Sequence, residues 1–326
     1  MRFIETWTSA TLVATRDLTP GIREFLLRPD GFAAAPYPVG SHINVSVTIE
    51  GQPQTRSYSL VGEVDPQGYR IAVRRAPDSR GGSHYMWSLA PGARLTITLP
   101  ASLVQLDWTR RQFCLIAGGI GITPIVGAAK ALARRDAGVA LHYAVRTRSD
   151  AAYLDVLERL LGDRLVVHAG DEGSRLDLGR VFAALPPETM ALFCGPMRML
   201  DAARRTWEAS GRPLSDLRYE TFGSSGLLPT EAFRVRLKGE GIEFVIPRDR
   251  SMLDVLNEAG HEVMSDCRRG ECGVCALDVV DVDGEIDHRD VFFSDHQKQE
   301  SRKICACVSR ARGTITVDTL HRADAL

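Results

Sequence analysis

Net charge is almost absent from this sequence: 40 Lys and Arg face 41 Asp and Glu, leaving −1 over 326 residues. Without a basic excess there is no electrostatic reason to expect nucleic acid or an anionic membrane as the main partner. No apolar run reaches the length that spans a bilayer. The opening residues, MRFIETWTSATLVATRDL, lack the apolar core of a signal peptide. The chain shows neither an internal repeat nor a low-complexity tract. A hydrophobic content of 44% and a charged content of 25% are ordinary for a globular protein. The expectation is a cytoplasmic protein of two or three domains.

Cysteine is scarce as well. There are seven, and five of them lie between Cys267 and Cys307. Stable disulfides are not expected in a reducing cytosol, so clustered thiols there point to metal or redox chemistry. Cys114 and Cys194 stand alone in apolar or Gly-rich settings, where a free cysteine is ordinarily a small buried hydrophobe.

What is present divides into three stretches. Short alternating runs at 43–49 (INVSVTI), 69–74 (YRIAVR) and 95–99 (LTITL), separated by Gly and Pro clusters, predict an antiparallel barrel or sandwich. From Phe113 the pattern becomes strand–helix: FCLIAGG, a helix over 123–135, ALHYAVR, a helix over 151–161, LVVHAG, ALFCGP and a helix over 197–210. That alternation predicts a parallel sheet with helices on its faces. Residues 223–232, GSSGLLPTEA, read as a linker. Beyond it come a hairpin over 233–248, a helix from SMLDVLNEAG with Ser251 as N-cap, and a closing strand, TITVDTL.

The motif CRRGECGVC spaces Cys267, Cys272 and Cys275 as C-x4-C-x2-C, with a further cysteine at a distance, as in plant-type [2Fe–2S] proteins. Gly270 and Gly273 permit the backbone to pass close to cluster sulfurs. A zinc site would pair its CxxC with a second CxxC or a His pair, and x4 spacing is not its habit. For the fourth ligand, the CAC stretch offers both Cys305 and Cys307.

RSYSL places Arg56, Ser57, Tyr58 and Ser59 after a strand and turn. An aromatic to stack on an isoalloxazine, hydroxyls for its edge and an Arg for phosphate suit a flavin. Tyr and Ser on a barrel strand are also common structural residues. Gly81, Gly82 and Ser83 would open a helix whose free amides suit a phosphate; a plain Gly turn is the alternative. LIAGGIGITPI is a strand, a Gly turn (Gly118, Gly119, Gly121) and a helix start. That geometry lets a dinucleotide approach backbone, though GxGxxG and an acidic ribose partner are lacking. Cys194, Gly195 and Pro196 follow a strand in the same stretch. Arg146 and Arg148 are candidates for the adenosine end, or ordinary surface arginines.

CRRGECGVC, DHRDVFFSD and CVSRA resemble the ferredoxin domain of the phthalate dioxygenase reductase family. RSYSL, RGGS, AGGIGITP and CGP resemble the flavin and nucleotide domains of the same superfamily. The resemblance covers essentially the whole chain in the family's order. It implies a multidomain α/β-plus-β protein: a ferredoxin reductase-like antiparallel β-barrel flavin domain (1–108), a parallel α/β NAD domain (109–226) and a C-terminal β-grasp plant-type ferredoxin domain (233–326).

It further implies that Cys267, Cys272, Cys275 and Cys307 hold the cluster, with Cys307 preferred because it directly precedes the family's x-Ser-Arg tail. Arg56 and Ser83 would bind the phosphate of FMN, preferred to FAD because no loop for an adenosine half is visible. Tyr58 and Ser59 would meet the ring. Gly118, Gly119 and Gly121 would face the pyrophosphate of NADH, with Gly195 and Pro196 beside it. Thr123, Cys194 and Phe222 would sit where nicotinamide meets flavin.

The implied activity is electron transfer from NADH through FMN to [2Fe–2S] and on to a separate protein, since a flavin converts a two-electron hydride into single electrons. No Rieske-type Cys-His pairs and no haem motif supply an oxygen-activating centre, so the expected partner is the terminal oxygenase or demethylase of a Rieske non-haem iron system. Arg268 and Arg269 beside the cluster are candidates to orient it, or solvated loop charges. The other readings are a reductase for a different acceptor, such as a cytochrome P450 or free flavin, and a non-catalytic iron–sulfur sensor on the same scaffold. Fold resemblance does not name the small molecule that is oxidised.

Overall fold

The structure is a computed structural model that describes residues 6–33, 35–77, 79, 81–102, 104, 106–222 and 228–319. The first half of the expected linker, 223–227, and Leu320 of the expected last strand lie outside the described residues. The chain folds as two compact units, Met1–Glu220 and Thr221–Leu326. Among the described residues, no helix is long and apolar enough to cross a membrane.

The first unit begins with β1 (Trp7–Thr19), β2 (Ile22–Pro29), β3 (Ser41–Ile49), β4 (Gln52–Ser59), β5 (Tyr69–Arg74), helix α1 (Gly82–Ser88), β6 (Arg94–Thr98) and β7 (Ala101–Ser102). These strands pair antiparallel in the order β4-β3-β6-β1-β2-β5, with β7 on β3. A bridge from Leu60, just past β4, to Ile71 on β5 joins the two ends. The sheet thereby closes into a barrel. Alternation along INVSVTI turns Ile43, Val45 and Val47 inward, and all three are fully buried with Phe25, Leu12 and Ile97. The first two strands escaped the sequence pattern because charged residues, among them Arg16, Arg23 and Glu24, break the alternation. Glu24 is nonetheless buried, at 4% exposure.

The unit continues with β8 (Gln112–Gly118), α2 (Ile122–Ala133), β9 (Gly138–Val145), α3 (Leu154–Leu161), β10 (Leu165–Ala169), α4 (Leu178–Ala183), β11 (Met190–Cys194), α5 (Met197–Ala209) and β12 (Leu217–Glu220). All five strands are parallel, in the order β10-β9-β8-β11-β12. Strand order reverses between β8 and β11, which are neighbours although two strands separate them in sequence. Open α/β sheets bind ligands at the carboxyl ends of such a pair. The helix expected from residue 151 starts only at Leu154, because Tyr153 adopts a left-handed φ of 62°.

The second unit holds β13 (Phe233–Leu237), β14 (Glu243–Ile246), α6 (Met252–Glu258), β15 (Ala276–Asp287), α7 (Asp295–Glu300), β16 (Lys303–Cys305) and β17 (Arg310–Asp318). Its mixed sheet runs β14-β13-β17-β15-β16, with β17 parallel to β13. A hairpin, a helix and a strand returning beside the first strand make a β-grasp. Ser251 caps α6 as expected, its Oγ accepting from the Asp254 amide at 3.1 Å. Met252, Leu253 and Leu256 then turn into the core.

Candidate functional site

Arg56, Ser57, Tyr58 and Ser59 end strand β4. The Arg56 guanidinium is held by the Thr55 carbonyl at 2.9 Å and by Gln54 Oε1 at 2.7 Å. It lies flush against Gly82: a Cβ there would stand 2.8 Å from Arg56 Nε. The glycine is therefore what lets the Arg56 side chain lie against the start of α1. Ser83 Oγ donates to Ser79 Oγ at 2.9 Å and accepts from the Ala76 amide at 3.3 Å, which fixes the loop before α1. His84 is exposed and bonds only the Ala76 carbonyl, at 3.1 Å.

Tyr58 is half-buried, and burial pushes its phenol above the usual range. Ser57 Oγ is sealed from solvent with no hydrogen-bond partner among the described residues. A buried hydroxyl left in that state costs free energy unless a bound group meets it. A cation at a glycine-lined loop, an aromatic and an orphaned hydroxyl fit a flavin phosphate and ring. Ser59 donates to Glu220 Oε1 at the end of β12, and both residues are buried. Sequence analysis assigned no role to Glu220. Its one signal was its place at the end of the short strand LRYE.

The nucleotide crevice lies at the carboxyl ends of β8 and β11. A Cβ on Gly121 would meet the Cys194 carbonyl oxygen at 2.2 Å, and one on Gly118 would meet Pro196 Cδ at 2.7 Å. Gly195 would in turn strike the Gly118 amide at 3.1 Å. The Gly118–Gly121 turn and the Cys194–Pro196 turn thus pack backbone on backbone. Thr123 is buried, and its Oγ1 donates to the Ile120 carbonyl at 3.1 Å, which ties the turn to α2. Cys194 is fully buried at the strand end. Thr221 and Phe222 belong to the second unit, with Phe222 half-buried. Arg148 pairs with Glu172 at 3.2 Å on the surface.

In the second unit, the thiols of Cys267, Cys272, Cys275 and Cys307 form two pairs. Cys275 and Cys307 Sγ stand 3.1 Å apart. Cys267 accepts a hydrogen bond from Cys272, which pulls its thiol down to about 6. It also accepts from the Arg269, Glu271 and Cys272 amides at 3.4 Å each. Hydrogen bonds from the Cys305 and Cys307 thiols hold Cys275 well below the ordinary thiol range. A metal would take these sulfurs as thiolates. Gly270 and Gly273 have φ of 76° and 73°, which L side chains rarely adopt. A Cβ on Gly270 would also meet Val308 at 2.6 Å and the Asp290 Cα at 2.9 Å. An all-sulfur donor set with backbone amides aimed at it fits a two-iron cluster.

Two of the quoted motifs lock together behind this loop. Ser309 Oγ donates to Asp290 Oδ1 at 3.0 Å and accepts from the Arg289 amide at 3.1 Å. The Val291 amide donates to the Gly270 carbonyl at 2.9 Å. Sequence reasoning assigned no role to Asp290 or Ser309. Arg269 corrects an expectation: it is 1% exposed and paired with Glu271 at 3.1 Å, so it is neither a solvated charge nor offered to a partner. Arg268 pairs with Asp254 at 2.9 Å.

Comparison with known proteins agrees with this anatomy. Residues 9–105 match the oxidoreductase FAD-binding domain family, 115–205 the oxidoreductase NAD-binding domain family, and 235–312 the 2Fe-2S iron-sulfur cluster binding domain family. A solved structure of phthalate dioxygenase reductase, described as a modular structure for electron transfer from pyridine nucleotides to [2Fe-2S], superposes with a TM-score of 0.77. It is 30% identical, over 96% of this chain and 98% of that one. The chain belongs to the phthalate dioxygenase reductase family. Other relatives include the heme-dependent oxidative N-demethylase beta subunit of Ectopseudomonas mendocina, 35% identical over 93% of this chain and 96% of that protein. The carnitine monooxygenase reductase subunit of Escherichia coli is 33% identical over 91% and 93%. As in the family, this chain carries a flavin domain, an NAD domain and a [2Fe–2S] domain, and it is an NADH-dependent oxidoreductase.

Proposed function

We propose that this protein is the reductase component of a two-component oxygenase or demethylase, carrying electrons from NADH through FMN and a [2Fe–2S] centre to a separate terminal component. The observation that carries this reading is the pairing of Cys267 with the Cys272 amide at 3.4 Å and of Cys275 with Cys307 at 3.1 Å, in the C-x4-C-x2-C loop of a chain that also holds the parallel sheet with its β8–β11 reversal. Bound FMN and cluster supply the passage from a two-electron hydride to single electrons.

The residues divide the work. Arg56, with the Gly81, Gly82 and Ser83 loop, holds the flavin phosphate, and the absence of any demand for an adenosine half favours FMN. Ser57, Tyr58 and Ser59 face the ring, with Glu220 fixing the Ser59 hydroxyl. Gly118, Gly119, Gly121 and Gly195 keep the crevice free of side chains for the pyrophosphate, and Pro196 lines its edge beside Gly118. Thr123 and Cys194 hold the shape of its floor. The family resemblance favours NADH over NADPH as the donor. Cys307 is the fourth cluster ligand. The modules run 1–108, 109–226 and 233–326, and the protein works in the cytoplasm, where thiols stay reduced.

The partner of first choice is a Rieske non-haem iron oxygenase. A haem-dependent partner is the second reading, because one relative at 35% identity is named as a subunit of a heme-dependent N-demethylase. Anaerobic titration of the purified protein with NADH, followed by visible absorption and electron paramagnetic resonance, tests the chain of carriers. Flavin bleaching with a plant-type cluster signal is the expected result, and two centres left oxidised would overturn it. Product formation with each class of terminal component then separates the two partners.

A further inference from the structure

We infer that a cleft between the barrel and the parallel sheet is an effector site for a small organic carboxylate, with Lys130 as its counter-ion. The cleft encloses about 560 Å³, within the range of small-molecule sites. Parts of β1, β2 and β5 with the loop 61–67 line it from the barrel. Val126 and Lys130 of α2, with Tyr153 and Val156 at the start of α3, line it from the helices of the sheet. No residue placed at the flavin or at the nucleotide turns lies on this lining.

The charges around the cleft pair off, with one exception. Glu24 is held by Tyr153, Arg16 and Arg70, Asp65 by Arg70 at 2.6 Å, and Glu63 by Arg134. Four cations, Arg16, Arg70, Lys130 and Arg134, thus meet three carboxylates, and the surplus charge is that of Lys130. Its half-buried amine has no hydrogen bond or ion pair among the described residues. An ammonium drawn partly out of water gains from one anion beside it. A phosphate or nucleotide would bring more negative charge than one ammonium balances. Much of the remaining lining is apolar: Leu26, Val61 and Val126 are at most 4% exposed, and Val64 and Val156 join them. A single carboxylate on a hydrocarbon body meets both demands. Helix α2, which carries Val126 and Lys130, opens directly after the Gly118–Gly121 turn. A Cβ on Gly127 would stand 2.8 Å from the Gly62 carbonyl oxygen, so helix and loop touch at the edge of the cleft. An occupant between them bears on the helix that seats the dinucleotide.

The test uses full-length protein with both cofactors in wild-type, Lys130→Met and Lys130→Arg forms, each checked for flavin and iron content. Benzoate is the probe and benzamide its neutral counterpart, and calorimetry at fixed ionic strength measures both. The wild type and Lys130→Arg bind benzoate about tenfold tighter than benzamide, the difference that one charged hydrogen bond supplies. Lys130→Met loses that preference. Saturating benzoate shifts the NAD+ dissociation constant about fivefold, and NAD+ shifts that of benzoate by the same factor. Equal benzoate binding by wild type and Lys130→Met, or none at millimolar concentration, would overturn the site. Benzoate binding that leaves NAD+ affinity unchanged would overturn the effector role. Neither outcome depends on flavin reduction, so failure here is distinct from failure of the electron-transfer reading.

Discussion

The Tyr153 hydroxyl donates to Glu24 Oε2 at 2.9 Å, linking the start of α3 on the parallel sheet to β2 of the barrel. The same carboxylate is held by Arg16 at 3.2 Å and Arg70 at 3.1 Å, and Arg70 reaches on to Asp65 at 2.6 Å. Tyr153 accepts a left-handed φ to make this contact, a conformation that costs a non-glycine residue about 1 kcal/mol or more. Backbone strain of that kind persists where the surroundings over-determine it. The two halves of the first unit are tied together here. Tyr153→Phe is expected to keep its flavin and its NADH dissociation constant, while stopped-flow flavin reduction slows about three- to tenfold. An unchanged rate would leave the clamp a purely structural tie.

Gly121→Ala tests the crevice. Its new methyl group must displace the Cys194 carbonyl at 2.2 Å, and backbone on both sides gives little way. Flavin content is expected to stay at the wild-type level, with NADH-driven flavin reduction falling more than tenfold.

Ser59→Ala tests the buried pair with Glu220. Removing the hydroxyl leaves a buried carboxylate short of a donor, at a cost of about 1–3 kcal/mol. Thermal or urea unfolding measures this loss, and flavin content reports whether Ser59 also bonds the ring.

Gly270→Ala and Gly273→Ala separate two kinds of crowding in the cluster loop. Both strain a positive φ, but Gly270 faces the Asp290 backbone at 2.9 Å, whereas Gly273 faces the ring of Phe292, which is 47% exposed and free to swing. Iron and sulfide analysis should find Gly270→Ala largely without cluster and Gly273→Ala only partly depleted.

The stacked rings of His142 and His168 predict a pH effect. Burial first, then the neighbouring imidazole, depresses His142 from 6.5 to about 4. The unfolded chain takes up this proton before the folded one, so stability is complete above about pH 6.5 and is lost as pH falls toward 4. The loss reaches at most about 3 kcal/mol. Urea midpoints between pH 4 and 7 should fall less steeply in His142→Gln than in the wild type.

The local motifs were legible because each depends on spacing within a few residues. INVSVTI announced its inward face, Ser251 its helix start, and the C-x4-C-x2-C loop its iron–sulfur domain. What stayed hidden depends on residues far apart in sequence. Glu24 reads as a surface charge until Tyr153, Arg16 and Arg70 surround it. Glu220 reads as a strand end until Ser59, 161 residues away, donates to it. The choice between Cys305 and Cys307 was open in the same way, since both precede or follow Ala306 by one residue. Only the partners across the sheet distinguish them. Arg269 was misread for the opposite reason: a charge in a Gly-rich loop is usually solvated, and its burial with Glu271 has no local sign.

Three of the four cluster thiols arrive within nine residues, whereas the last lies 32 residues beyond Cys275. The first three can gather as a short ring at small entropic cost, but the fourth requires that β15, β16 and the turn into β17 be in place. With Cys307 as the fourth ligand, the complete donor set exists only once the C-terminal sheet has formed. A nascent chain stalled before residue 307 could offer only an open, three-thiolate cup.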